Sequence, residues 1–311
     1  MTAGGRAVEP WFRGMMPIMA TPITEAGELD EASQRRLVQY CLACGAVAVG
    51  HLAGASEFQK VAPDWRRRIT EIVVEEAGGR VPVFIGVTAP TARMAAEHAR
   101  QAEALGADLV MAGAPYPDVP EAKGMLDYYR TISEAVSLPV IVQDTAQSDR
   151  VLTPDFLCRL CQELPGVRYV KAEGGRFLAK SAELVARAGD RMQVIGGAAG
   201  RHLIHLLRVG VSAFMTGTEA LDIHGAVVQA YLGGDEEEAA RIYFQQLLPY
   251  LMLYQEYFRE LLKWMLFERG IIDCPAVLPP AANVPMSEVE RRELGWVLDR
   301  IGWRKRWPNI P

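Results

Sequence analysis

Eight short apolar runs recur along the chain, each separated from the next by a longer stretch in which apolar residues return every three or four positions. The runs are MMPIMAT (15–21), AVAVGHL (46–52), VPVFIGV (81–87), ADLVMAG (107–113), LPVIVQD (138–144), VRYVKAE (167–173), MQVIGG (192–197) and VSAFMTG (211–217). They are nearly continuous rather than alternating, which predicts strands covered on both faces. The stretches between them predict helices, among them ASQRRLVQYCLACG (32–45), DWRRRITEIVVEEAG (64–78), TARMAAEHARQAEALG (91–106), KGMLDYYRTISEAV (123–136) and TPDFLCRLCQEL (153–164). Gly45, Gly79 and Gly106 stand where left-handed helix ends are wanted, and Thr153 with Pro154 reads as a cap and a first-turn proline. Strand-helix units in this number fit one closed barrel better than two smaller open sheets. The expected fold class is α/β, a (β/α)8 TIM barrel over residues 12–222.

Past residue 222 the strand pattern stops. HGAVVQAYLGG (224–234) ends on a glycine pair, and DEEEAARIYFQQLLPYLMLYQEYFRELLKWMLFERG (235–270) opens on acidic residues and closes on arginine, as the helix dipole favours. Pro249 lies inside this long segment, so two helices or one kinked helix are expected. Its aromatic residues exceed what one surface stripe needs. Residues 223–311 are therefore expected to form a helical extension packed on the barrel, with a subunit contact as a second use of the same faces. DCPAVLPPAANVP (273–285) reads as a packed connection ahead of a last helix, SEVERRELGWVLDRIG (287–302).

Composition removes several classes of function. Half of the residues are apolar, 23% are charged, and the formal net charge is -5, so nucleic acid is offered no basic face. The RKRW tail (304–307) is the best basic cluster, and it is short. No apolar run approaches the roughly 18 residues of a membrane span, and the opening MTAGGRAVEP lacks the apolar centre of a secretion signal. A cytoplasmic protein with no nucleic-acid or membrane partner is expected. Cys41 and Cys44, like Cys158 and Cys161, lie three apart in helical, apolar surroundings, Cys274 is the fifth cysteine, and no histidine is close in sequence to either pair. Buried thiols are expected there rather than metal.

A barrel carries its chemistry at the C-terminal ends of its strands. The residues that land there are Thr21, Ser56, Glu57, Thr88, Tyr116, Gln143, Asp144, Lys171, Glu173, Gly196, Gly197, Thr216 and Thr218. Lys171, in RYVKAEGG, is the sharpest of them. A desolvated lysine sheds its proton more readily, and its free amine attacks a ketone to form a Schiff base; the competing reading is a structural ion pair with a barrel acid such as Asp144. Ser56 and Glu57, in ASEFQKV, either hold substrate or cap the following helix. Tyr116, between two prolines, is either a phenolic donor or an aromatic plug. VIGGAAGRH (194–202) has glycines suited to a phosphate cradle but neither the spacing nor the lysine, so Gly196 and Gly197 read as room for a ligand. His202 and His205 are three apart, without a third ligand to make a metal site.

These pieces assemble into a resemblance. With PIMATPITEAGELD (17–30), the strand-two loop ending in Ser56 and Glu57, the LPVIV strand with its polar turn, and Lys171 on strand six, the sequence resembles the dihydrodipicolinate synthase and N-acetylneuraminate lyase family over residues 12–300. That family comprises the pyruvate-type class I aldolases. The resemblance implies that Lys171 forms an imine with a small-molecule 2-keto acid, that this imine stands in for any metal or organic cofactor, and that the chain forms a homo-oligomer, a dimer or tetramer. It also shows departures. Where the family has Gly-Thr-Thr-Gly-Glu, this chain has Ala53, Gly54, Ala55, Ser56 and Glu57, and the family's strand-five tyrosine falls at Gln143, whose amide is neither acid nor base.

The substrate carboxylate is then expected on the amides of Gly54 and Ala55, with Ser56, Glu57, Asp144, Gly196, Gly197 and Thr216 around the substrate. Glu173, Tyr116, Ser56 or a water held by Gln143 and Asp144 would move protons. VQDTAQS (142–148), ASEFQ (55–59), YVKAE (169–173) and LFERGII (266–272) are similar to the family's dehydratase branch. This implies loss of water from a 2-keto-3-deoxy sugar acid, L-2-keto-3-deoxyarabonate, to give 2-oxoglutarate semialdehyde. Aldol cleavage of such acids, imino-acid deamination and a non-catalytic small-acid sensor are the alternatives.

Overall fold

The computed structural model of the chain describes residues 11–281 and 285–303. The opening MTAGGRAVEP, the RKRW tail and residues 282–284 of the proline-rich connection lie outside the described residues.

Eight parallel strands form one sheet in the order β1-β8-β7-β6-β5-β4-β3-β2. They are β1 (Gly14–Met15), β2 (Val49–His51), β3 (Val83–Gly86), β4 (Leu109–Gly113), β5 (Val140–Asp144), β6 (Val167–Ala172), β7 (Gln193–Gly196) and β8 (Ala213–Phe214). Each falls in one of the expected apolar runs, although β1 meets its run only at Met15. The reason is Pro17, which has no N–H to give to a ladder. Beyond it the pairing continues as single bonds, from Ile18 N to Thr216 O and from Gly50 N to Pro17 O. The seam between the first and second strands is closed by such bonds and by the bridge Ile18–Gly50, not by a full ladder.

Alternate strand residues fill the barrel: Met16, Phe84, Leu109, Met111, Ile141, Tyr169, Ile195 and Met215 pack together inside it. Gly50 is required by this filling, because a Cβ there would meet the Phe84 ring at 2.0 Å. Residues of the opposite parity, such as Val110, Val142, Val170 and Val194, belong to the larger core between the sheet and the helices.

The helices are α1 (Glu31–Ala43), α2 (Pro63–Ala77), α3 (Ala92–Ala104), α4 (Ala122–Ser133), α5 (Pro154–Glu163), α6 (Phe177–Ala188), α7 (Leu203–Arg208) and α8 (Leu221–Leu232). Their ends follow local chemistry. Asp30 and Thr91 cap α1 and α3, and Thr153 caps α5 with Pro154 in its first turn. Gly45 and Gly106 are left-handed as expected, whereas α2 ends one residue early, on Gly78.

Three further helices follow: α9 (Glu236–Ile242), α10 (Leu248–Glu268) and α11 (Glu288–Arg300). A π-helical turn, Tyr243–Leu247, joins α9 to α10, so Pro249 sits in the first turn of α10, where its missing N–H costs little. A second interruption, not expected from the sequence, lies at Phe258. Buried charges join this extension to the first part of the chain. Arg269 is paired with Asp222 at 3.0 Å and donates to the Tyr40 hydroxyl. Glu57 accepts from Leu278 N at 3.1 Å and lies 3.5 Å from Lys263 Nζ.

The five cysteines are free thiols, buried or half-buried, and burial pushes Cys44 and Cys161 up to about 12. No helix among the described residues is long and apolar enough to cross a membrane.

Candidate active site

The period of two along β6 directs Tyr169 and Lys171 into the barrel, one above the other. Lys171 stands at the C-terminal end and is 4% exposed. In register beside it on β5 is Gln143. Two residues past Lys171 the chain leaves the strand, and Glu173 folds back so that its Oε2 lies 2.9 Å from Lys171 Nζ and accepts from Gln143 Nε2 at 3.0 Å. Its Oε1 accepts from the Ala198 amide at 2.6 Å. One carboxylate thus gathers strands five, six and seven around the lysine. Gly197 makes this possible, because a Cβ there would lie 2.5 Å from Glu173 Oε1. The Glu173 side chain keeps 15% of its surface exposed, toward a cavity of about 340 Å³ that is also lined by Arg201, Leu251, Tyr254, Gln255 and Phe258. A buried amine beside a hydrogen-bonded carboxylate is the arrangement that imine chemistry uses: a nucleophile and, next to it, a proton acceptor.

Asp144 sits elsewhere. It has the outward parity of β5, and its partner is Lys180 of α6, at 2.7 Å, not Lys171. Lys180 also meets Asp149 at 3.0 Å, and Asp144 Oδ2 accepts from Gly174 N at 3.3 Å. The cluster therefore braces the turn from which Glu173 projects. Burial pushes the Asp144 carboxyl up to about 6, against the pull of Lys180. The folded chain binds a proton there more readily than the unfolded chain does, so the ionised form is the costly one and the cost is relieved as pH falls through about 6. Lys180→Met removes the compensating cation and is expected to lower stability by roughly 3–5 kcal/mol at neutral to alkaline pH. Urea unfolding should show that deficit shrinking between about pH 8 and about pH 5, whereas a deficit independent of pH would mean that Lys180 compensates some other group.

The strand-two loop is locked by its own side chains. Ser56 Oγ donates to Met19 O at 2.6 Å, Thr21 donates to Ser56 O, and Glu57 faces Lys60, Lys263 and Leu278. Glu57 adopts a left-handed backbone (φ 54°) that turns its carboxylate toward the extension. Gly54 and Ala55 open a short 3₁₀ turn (Gly54–Ser56), whose first amides have no acceptor within it. Tyr116 is half-buried, packed edge-on against Phe58 at 5.7 Å, and burial raises its phenol. Thr88 accepts from Gly113 N, and Thr216 donates to Gly217 O. Thr218 is buried with its hydroxyl unpartnered among the described residues. Gly196 serves packing, since a Cβ there would strike the Phe214 ring at 2.5 Å.

His202 and His205 stack with each other and with Phe177 and Tyr243, and no group of three potential metal ligands occurs among the described residues. Sequence reasoning missed Lys180, the Ala198 amide, and Tyr254 and Arg259 of α10. The aromatic density of YQEYFR was the only local sign of the last two.

The family model for the dihydrodipicolinate synthetase family matches residues 11–300. The chain is 33% identical over 247 residues to an L-2-keto-3-deoxyarabonate dehydratase of Azospirillum brasilense, covering 77% of this chain and 79% of that protein. It is 28% identical over 276 residues to a 4-hydroxy-tetrahydrodipicolinate synthase of Leptothrix cholodnii, covering 88% and 92%. Among solved structures, dihydrodipicolinate synthase of Thermotoga maritima superposes with a TM-score of 0.86 at 26% identity, over 94% of this chain and 99% of that one. A match across nearly the whole barrel and most of the extension makes this chain a member of the dihydrodipicolinate synthetase family.

Proposed function

We propose that the chain is a Schiff-base dehydratase that converts L-2-keto-3-deoxyarabonate to 2-oxoglutarate semialdehyde and water. The observation that carries this reading is the pairing of Lys171 with Glu173 at 2.9 Å, beside an amide, Gln143, at the strand-five position. Lys171 condenses with the C2 ketone and releases water. In the resulting iminium, C3 is two bonds from the lysine nitrogen, within reach of the carboxylate that now faces that nitrogen. Glu173 takes the C3 proton, and the enamine expels the C4 hydroxyl as water once a proton is returned to it. Loss of a C5 proton and of the C5 hydroxyl proton, matched by protonation at C3 and C4, turns C5 into the aldehyde, and hydrolysis frees the semialdehyde and the lysine. The overall change is loss of one water, with no oxidant or reductant.

Aldol cleavage would need a base on the C4 hydroxyl, the service of the family's phenol, and the Gln143 amide cannot provide it. The named dehydratase of Azospirillum supports the same substrate class. Self-association is supported by Phe244, Leu248 and Met252, apolar residues at four-residue spacing that lie exposed along one helical face.

Proton NMR of the products tests the reading. Purified protein mixed with L-2-keto-3-deoxyarabonate should yield the semialdehyde without pyruvate. Pyruvate with glycolaldehyde would replace the dehydratase by an aldolase, and an unchanged substrate spectrum would remove this acid as the substrate.

A further inference from the structure

The extension brings a cation to the barrel mouth. α10 is interrupted at Phe258, whose φ of 29° and ψ of −99° are not helical. Arg259, the next residue, reaches the strand-two loop, where its Nη2 donates to the Gly54 carbonyl at 3.4 Å. That bond is long for a guanidinium. The Nε of the same group is buried with no hydrogen-bond partner among the described residues. An orphaned buried donor on an arginine calls for an acceptor, and a carboxylate matches the guanidinium fork.

The position fits a substrate carboxylate. β2 lies four places from β6 in the strand order, so the strand-two loop stands across the barrel from Lys171. The charge of Arg259 also bears on Tyr254, which lines the same cavity as Glu173. Ala55 and Gly54 offer amides but no hydroxyl, and Ser56 has spent its hydroxyl on Met19 O. Lys60 and Lys263, which also reach this region, are engaged by Glu57.

We propose that Arg259 binds the C1 carboxylate of the 2-keto acid, together with the amides of Gly54 and Ala55, so that the extension supplies the charge that selects an acid over a neutral ketone. This rests on the Schiff-base reading above.

Pyruvate, the smallest 2-keto acid, is the probe. The whole protein is incubated with pyruvate and borohydride, and the reduced adduct is followed by intact mass as a function of pyruvate concentration. Arg259→Gln is expected to raise the half-saturating pyruvate concentration by about 10- to 100-fold and to leave the limiting labelling rate unchanged, the effect of losing a charge-assisted hydrogen bond. Arg259→Lys should recover part of the loss, with circular dichroism confirming that both variants are folded. Methyl pyruvate, which has no charge, should label wild type and Arg259→Gln alike, a result that a merely structural arginine would not produce. Equal half-saturation by pyruvate in wild type and Arg259→Gln, or an equal loss with methyl pyruvate, would overturn the assignment while leaving the imine intact. A wild-type protein that forms no adduct at all would overturn both.

Discussion

Lys171→Ala is expected to lower turnover by at least about 10⁴-fold and to abolish the borohydride-trapped adduct, since every bond change in the proposed reaction passes through the lysine nitrogen. The fold should survive. Glu173 keeps its bonds from Gln143 and the Ala198 amide and retains some exposure to solvent, so removal of the amine does not strand a fully buried, unpaired carboxylate. Circular dichroism and the thermal midpoint of the variant give that control. Activity within tenfold of wild type would sink the imine mechanism, and keto-acid binding left unchanged by Lys171→Ala, beside a wild type with no turnover, would favour the small-acid sensor.

The second large effect belongs to Glu173→Gln. This change keeps the shape of the side chain and removes its ability to hold the C3 proton, and general-base losses of this kind cost about 10²- to 10⁴-fold in kcat. Imine formation itself needs no proton from C3. Rapid-quench trapping should therefore still show the adduct in Glu173→Gln while product formation stalls, which separates this role from that of Lys171. A variant with normal turnover would pass the proton to another group, with Tyr116 the next to be replaced.

Much of this molecule could be read from its residues. The eight strands, the helix caps at Thr153, Gly45 and Gly106, and the lysine at the end of strand six follow from local rules of period, capping and strand-end position. Parity along β5 and β6 was equally local: Gln143 and Lys171 share the inward face, and Asp144, one residue on, takes the outward one. What stayed hidden was pairing over distance. Nothing near Asp144 announces Lys180 of α6, and nothing near Glu57 announces Leu278 and Lys263, because those partners meet only when helices from remote parts of the chain pack. The same holds for Arg259 over Gly54, a contact spanning 205 positions.

The bonds between the extension and the first part of the chain also set an order on how the protein can be made. Glu57 emerges from the ribosome early, and two of its partners, the Lys263 ammonium and the Leu278 amide, emerge late. Asp222 likewise waits for Arg269. A nascent chain that has just completed its eighth strand therefore holds Glu57 with Lys60 alone and Asp222 ahead of Arg269, so the contacts that fasten the extension are expected to form only when synthesis is nearly finished. The extension is thus expected to dock as the closing step of assembly, after the eight strands that carry Lys171 are complete.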